Sequence, residues 1–339
     1  MNEHGGRVFA VDDRSAQLSD GTHVWDVPLE HPAVARVAPV TPPPGRLLAR
    51  IATISDLHLG EPAFGYLPRA TEARDVHPHY TVRAARAAVA EAVAWGAELL
   101  VVKGDITWSA RPAQWQRAEE VLRECPVPVA AVLGNHDVGS LGQPARPWLA
   151  RAGVATIVDG DRPVAHVDVG PLRIVLAHTP SGPHGRGRLP AGTREEVADA
   201  VGGAPADGGS LLVLHHYPDR SELPTRYPPG LQSADGKAMF ESLAALDRPP
   251  TLVTCGHSHR NRRYRRSGIV VSEVGSTKDY PGVWAGYAIH EGGIRQVVRR
   301  IAAPDVTAWT ERTGRTCLGC WRRWTPGRLG WRCFSLPWR

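Results

Sequence analysis

Residues 7–40 alternate between apolar and polar side chains in short runs, as half-buried strands do. Between the runs at 7–11 and 22–27 stands Ser19-Asp20-Gly21, and Asp-Gly flanked by apolar runs predicts a hairpin. Thr41-Pro42-Pro43-Pro44-Gly45 then reads as a stiff linker. A lone hairpin is marginal in water, so this one is expected to lean on the body of the chain. From residue 47 the pattern changes. Continuous apolar runs that suit fully buried strands fall at 48–54, 98–102, 127–133, 172–177, 210–214 and 251–254. Helical periodicity lies between them at 81–95, 112–124 (with proline at its first turn), 195–200 and 237–246. After Arg262 the chain returns to strands at 268–274, 284–290 and 294–301. Strand-helix alternation succeeded by consecutive strands predicts a layered α/β core with two sheets face to face and helices outside.

Composition bounds this picture. With 339 residues, 42% of them hydrophobic, the chain has room for one large core or two modest ones and is no disulfide-stapled scaffold. Five cysteines, an odd number, make no disulfide framework, and a cytoplasmic location is expected. No run of eighteen apolar residues is present, so no transmembrane segment is expected, and the first residues lack the apolar stretch of a secretory leader. The 40 basic and 34 acidic residues leave a net charge of +6, but its location matters more. Residues 306–339 carry seven arginines and one glutamate, while residues 1–305 balance 33 basic against 33 acidic groups. A polyanion partner would therefore concern the tail and not the body.

The ends of the apolar runs are their informative feature. They terminate in Asp56-Leu57-His58, Gly104-Asp105, Gly134-Asn135-His136-Asp137, His215-His216-Tyr217-Pro218 and Gly256-His257-Ser258-His259. In open α/β sheets, sites assemble at the carboxyl ends of strands. Singly, an Asp-x-His or a Gly-Asp is ordinary turn chemistry. Three polar side chains directly after a buried strand, as in Asn135-His136-Asp137, need partners or they cost stability. Five such clusters in succession point to a metal site, and mixed carboxylate, amide and imidazole donors suit iron, manganese or zinc better than a thiolate metal.

In order and content these groups resemble the calcineurin-like metallophosphoesterase superfamily, whose pattern is D-x-H, G-D, G-N-H-[DE], H and G-H-x-H. The resemblance spans roughly residues 47–301 and leans to the phosphodiesterase-like branch. It implies a four-layer α/β/β/α sandwich with two transition-metal ions (Fe, Mn or Zn). By resemblance Asp56, His58 and His259 bind the first ion and Asp105 bridges both. Asn135, His257 and one of the pair His215–His216 bind the second. His216 stands before Tyr217-Pro218 as in many members, and His215 is the alternative. His136 would face the substrate as a non-ligand, oriented by Asp137. The implied reaction is hydrolysis of phosphodiesters by attack of a metal-bridging hydroxide, on a small phosphorylated substrate and with no clear nucleic-acid partner. A phosphomonoesterase and a catalytically silent scaffold binding a phosphorylated ligand are the alternatives.

The expected domain limits are a hairpin segment at 1–45, a phosphoesterase domain at 46–304 and an Arg/Trp-rich tail at 305–339. Trp108 stands where that branch often carries an acid, and His178-Thr179-Pro180 departs from its usual Asp-Thr. His77, His79, Arg186 and Arg188 are further candidates for the pocket rim. The tail holds five of the eleven tryptophans, interleaved with arginine, and Cys317-Leu318-Gly319-Cys320 with Cys333 supplies three thiols where a structural zinc site wants four ligands. Such a segment could meet anionic lipid or stack on nucleic acid. Without a helical apolar stripe it is expected to be a disordered appendage, removable after Asp305 without loss of chemistry.

Overall fold

The computed structural model describes residues 6–37, 40–64, 79–138, 144–180, 182, 186–218 and 228–338. In chain order the elements are β1 (Arg7–Val11), β2 (Ala16–Ser19), β3 (Val24–Val27), β4 (Leu47–Ile54), α1 (Tyr80–Ala94), β5 (Leu99–Lys103), α2 (Pro112–Arg123) and β6 (Val129–Val132). Then come α3 (Ala145–Arg151), β7 (Thr156–Val158), β8 (Val164–Val169), β9 (Leu172–Ala177), α4 (Ala191–Gly202), β10 (Gly209–Leu214), α5 (Ser233–Ala244), β11 (Leu252–Cys255) and β12 (Arg262–Arg266). The chain continues through β13 (Ile269–Glu273), β14 (Val283–His290), β15 (Gly293–Arg300), α6 (Pro304–Gly314), α7 (Cys320–Trp324), α8 (Leu329–Arg332) and β16 (Cys333–Pro337). Among the described residues, no helix is long and apolar enough to cross a membrane.

Two large sheets carry the architecture. One runs β16-β15-β14-β4-β5-β6-β7 and the other β12-β13-β11-β10-β9-β8. The central strands β4, β5, β6 and β7 are parallel, as are β9, β10, β11 and β13. Strands buried on both faces must be apolar throughout, and β5 (LLVVK) and β10 (GSLLVL) are fully buried. Ile51, Leu99, Val101 and Val132 of the first sheet meet Ile174, Leu176, Leu211 and Val213 of the second in the inter-sheet core. Helices α1, α2 and α3 cover the outer face of the first sheet, and α4 and α5 that of the second. The result is the four-layer α/β/β/α sandwich. Helix α1 buries Ala84, Ala85, Ala88 and Ala92 on one stripe, so small side chains bring its axis close to the sheet. Helix α2 begins at Pro112, and the Gln114 side chain at its third position accepts the N–H of Arg111, the residue just before the helix, at 3.3 Å, an orphan donor satisfied at its start.

The elements the sequence pattern did not reveal are mostly marginal ones. β7 is three residues long, and α3 is a single short helix. β12 reads Arg-Arg-Tyr-Arg-Arg and is a half-exposed edge strand, where charge is tolerated because only one side is paired. The N-terminal segment forms three strands and not two. Asp12 Oδ1 accepts the N–H groups of Arg14 and Ser15 at 2.8 Å, making a second turn the apolar pattern does not announce. This small sheet rests on β15, with Gln17 Nε2 donating to the Arg300 carbonyl (2.9 Å) and Gln17 Oε1 accepting the Arg300 N–H (2.7 Å).

The expectation of a disordered tail is corrected. β16 pairs antiparallel with β15 from Val297–Cys333 to Gly293–Pro337, closing the edge of the seven-stranded sheet. α6 does have a buried stripe, at Val306, Trp309, Thr310 and Thr313, but apart from Val306 it is built from tryptophan and threonine. The threonines satisfy their hydroxyls on carbonyls one turn back, as in Thr310 Oγ1 to Thr307 O (3.1 Å). Of its arginines, Arg312, Arg315, Arg323 and Arg328 are exposed, but two others are built into the fold. Arg332 is buried, donates to the carbonyls of Phe9, Pro326 and Gly327 and lies 4.1 Å from the Phe9 ring centroid. Glu311, the one acid of residues 306–339, pairs with Arg300 and Arg322.

Candidate metal centre

The ends of β4, β5, β6, β10 and β11 converge where the two sheets meet. Their turns are tied to one another by backbone hydrogen bonds. Asp56 N–H donates to Gly104 O (3.1 Å), His58 N–H to Asp105 O (2.8 Å) and Gly256 N–H to His215 O (3.0 Å). Such contact leaves no room for side chains at the interleaved positions. A Cβ on Gly134 would lie 2.2 Å from the Asp105 nitrogen, and one on Gly256 would lie 2.0 Å from Ser55 Oγ. The glycines of the G-N-H and G-H-x-H groups are thus demanded by close packing of neighbouring turns.

Backbone strain marks the same place. Nine described non-glycine residues have positive φ, and five of them are Asp56 (55°), His58 (45°), Asp105 (49°), His257 (64°) and His259 (52°). This region costs an L-residue about 1–2 kcal/mol. Strain concentrated at one cluster is characteristic of a ligand clamp, where surrounding structure over-determines the backbone.

The side chains meet in overlapping groups. Asp56, His58 and His259 present donor atoms within 4.8 Å of one another, as do His58, Asp105 and His136, then Asp56, Asp105 and His215, and finally His215, His216 and His257. Asp105 sits between the groups: its Oδ2 is 3.5 Å from His58 Nε2 and 3.4 Å from His215 Nε2. Asn135 Oδ1 is 3.3 Å from His215 Nε2. Every ligand residue expected from the sequence therefore reaches the cluster.

Both members of the histidine pair are there too. His215 places Nδ1 2.8 Å from the Lys103 carbonyl and turns Nε2 to Asp105 and Asn135. His216 sets Nδ1 2.8 Å from Thr179 Oγ1, and its Nε2 is buried with no hydrogen-bond partner among the described residues. Each has one anchored nitrogen and one aimed inward, the arrangement of a ligating imidazole.

Electrostatics sort these groups. Burial pushes His58 and His216 well below the ordinary imidazole range, with His136 and His257 respectively adding to it, and burial with His215 takes His257 down to about 3. Those three rings are neutral and keep a lone pair. Against the cost of burial, Asp105 lifts His215 to about 9, and Asp279 with Asp56 lifts His259 to about 10. Also against burial, His259 holds Asp56 below its usual value and His215 with His136 holds Asp105 well below. Both carboxylates are thereby ionised.

The donor set fits a transition-metal centre. Both ring nitrogens of His58, like Nε2 of His216, are buried without a hydrogen bond among the described residues, a costly state that a cation coordinated by them relieves. Carboxylate, amide and imidazole donors suit Fe, Mn or Zn.

His136 stands beside the cluster, half-buried. Its Nδ1 is 2.6 Å from the Trp108 carbonyl, its N–H donates to Asp105 Oδ1 (3.0 Å), and its ring lies 4.5 Å from that of His58 and 4.9 Å from that of Trp108. The expectation that Asp137 orients this imidazole is corrected. The Asp137 carboxylate points the other way and accepts the N–H groups of Ile106 (3.0 Å), Thr107 (2.8 Å) and Gly134 (2.9 Å) and the Thr107 hydroxyl (2.9 Å). It shapes the turn that carries Asp105, and the Trp108 carbonyl orients His136.

Sequence reasoning missed Asp279, whose Oδ2 lies 2.7 Å from His259 Nδ1. It also missed its neighbour Lys278, buried and paired with Glu61 (2.7 Å) and Asp279 (3.4 Å). The signal was present: Ser276-Thr277-Lys278-Asp279 is one more polar group shortly after a buried strand, β13. Of the proposed rim residues, Arg188 is committed to Asp235 (2.7 Å) and His79 caps α1 through its backbone. His77 lies outside the described residues.

A sandwich of this layering with such a strand-end donor cluster defines a metallophosphoesterase fold and site. The sequence profile for the calcineurin-like phosphoesterases matches residues 49–261, and the chain belongs to that family. Similar solved structures include a dimetal phosphatase from Danio rerio (16% identity, TM-score 0.57, covering 75% of this chain and 97% of that one). The purple acid phosphatase PPD1 from yellow lupin seeds (12% identity, TM-score 0.54) covers 86% of this chain, which spans 57% of the plant enzyme. GAP50, the anchor in the inner membrane complex of Plasmodium, is also similar (13% identity, TM-score 0.50, covering 77% and 87%). At these identities the likeness is one of fold. No curated protein sequence matches significantly.

Proposed function

We propose that this protein is a metal-dependent phosphoric ester hydrolase acting on small phosphodiesters. The observation that carries the reading is the convergence of Asp56, His58, Asp105, Asn135, His216, His257 and His259 on one strained, orphan-bearing cluster with His136 beside it. Asp56, His58 and His259 would hold one ion, Asn135, His216 and His257 a second, with Asp105 shared between them. Two such ions supply Lewis-acid charge for phosphoryl oxygens and lower the pKa of a water at neutral pH. The chain does the rest. His136, its Nδ1 donating to the Trp108 carbonyl, would present Nε2 to the substrate, where the doubly protonated ring would donate to a phosphoryl oxygen or protonate the departing alkoxide. Asp137 keeps the Asp105 turn in shape through its four accepted hydrogen bonds. Preference for diesters is supported by the resemblance of Gly134-Asn135-His136-Asp137 and Gly104-Asp105-Ile106-Thr107 to the phosphodiesterase-like branch. A cytoplasmic location accords with the free thiols of Cys125, Cys255, Cys320 and Cys333.

The test is turnover of bis-p-nitrophenyl phosphate against p-nitrophenyl phosphate by protein loaded with manganese or iron. Faster diester hydrolysis is expected, and faster monoester hydrolysis would make the protein a phosphomonoesterase. Absence of turnover on both, with ions bound, would leave a binding scaffold. His136→Ala should keep its metal content and lose about 10²–10⁴-fold in turnover. Loss of the ions in that variant would mean His136 is a ligand.

A further inference from the structure

The C-terminal segment touches the loops that present the metal centre at several separate points. On α6, Trp309 donates its indole N–H to the Lys278 carbonyl at 2.8 Å, and Thr313 Oγ1 accepts the Tyr280 N–H at 2.9 Å. These two positions are four apart and share one helix face. They grip the backbone on either side of Asp279, the residue whose carboxylate meets His259 Nδ1. Beyond α7, the Thr325 carbonyl accepts the Asn261 N–H (2.8 Å) and Asn261 Nδ2 (3.3 Å), while Asn261 Oδ1 accepts the Gly275 N–H (2.9 Å). Asn261 lies two residues beyond His259, so the loop carrying His257 and His259 is pinned to the same segment. The Trp321 ring on α7 stands 6.3 Å from the His259 ring, edge to face.

We propose that the segment 304–325 is a positioning element for the metal centre, holding His259 and Asp279 in place through Trp309, Thr313 and Thr325 and so setting how tightly the ion at His259 is bound. The proposal rests on the metal-centre reading. Its physical basis is the backbone of His257 and His259, both in the left-handed region. A strained backbone persists only where its surroundings over-determine it; Asp56 and His215 hold the loop from the core side, and the tail adds restraints through Asn261 and the Asp279 loop. A ligand whose supporting carboxylate is free to shift loses orientation, and with it affinity for the ion.

The experiment measures Mn²⁺ affinity by titration calorimetry, the Co²⁺ absorption spectrum and the melting temperature of the metal-free protein. Trp309→Phe keeps a ring against Tyr80, whose centroid is 4.0 Å away, while removing the N–H donor and the smaller ring of the indole. Thr313→Val removes the oxygen and preserves shape. The double variant is expected to weaken one of two bound ions about tenfold and alter the Co²⁺ spectrum, leaving the other ion as in the wild type. Asp279→Asn, which acts directly on His259, should weaken the same ion about 10–100-fold. A lowered melting temperature with both affinities unchanged overturns the proposal, because that is the signature of structural support alone. Should the double variant fail to fold, the Trp309→Phe affinity decides by the same criterion. Wild-type protein that takes up no ion overturns the metal-centre reading, and this proposal with it.

Discussion

Replacing Asp137 by alanine separates scaffold from chemistry. The substitution strands four buried donors: the N–H groups of Ile106, Thr107 and Gly134 and the Thr107 hydroxyl. A buried donor left unsatisfied costs about 1–3 kcal/mol. The four share one cavity, so their costs do not add in full. Removing the carboxylate also relieves a strain, since burial and the neighbouring Asp105 push Asp137 up to about 6. A net loss of about 3 kcal/mol is the reasonable expectation. With an unfolding entropy of ~2.1 cal/mol/K per residue over this chain length, that lowers the melting temperature by about 4 °C. The Gly104-Asp105 turn loses its template at the same time, so metal affinity should fall along with stability. Calorimetry on the metal-free protein, metal titration and turnover give the three readouts. Asp137→Ala with wild-type melting temperature and ion affinity but lost turnover would refute the reasoning and return Asp137 to a direct role beside His136.

The geometry sets two further outcomes. His216→Ala should reduce bound metal from two ions to one, measured by mass spectrometry of saturated and desalted protein, while His215→Ala retains both; the reverse result would assign the ligand to His215. Truncation after Ala303 removes β16 from the edge of β15 together with buried Trp309, Trp321 and Arg332, and the product should aggregate and lose its cooperative melt. A monomeric truncation with wild-type melting behaviour by size exclusion and circular dichroism would mean that the segment is not part of the core.

Strands β4, β5, β6, β10 and β11 were legible because burial on both faces forces an unbroken apolar run, and the polar groups that end each run were legible for the same reason. Asp56, His58, Asp105, Asn135, His136, His257 and His259 come after such runs in order, and that order carried both the fold class and the candidate site. The polar group after β13 could have marked Asp279 as a candidate, but its pairing with His259, twenty residues away in sequence, is a tertiary contact. The tail escaped notice for a different reason. Its buried stripe uses threonine and tryptophan, and Arg332 satisfies its guanidinium on the carbonyls of Phe9, Pro326 and Gly327. Composition counted those arginines as a basic surplus, whereas Arg332 is enclosed and Arg322 is paired with Glu311.

The division reflects the range of the forces. Periodicity and glycine placement are local consequences of strand burial and turn packing, so the sequence by itself determined the layered core and the donors at its strand ends. Which atoms those donors face is set by contacts between residues remote along the chain. Only the tertiary structure decided that Asp137 holds a turn, that the Trp108 carbonyl orients His136, and that the Arg/Trp segment is packed against the loops of the metal centre.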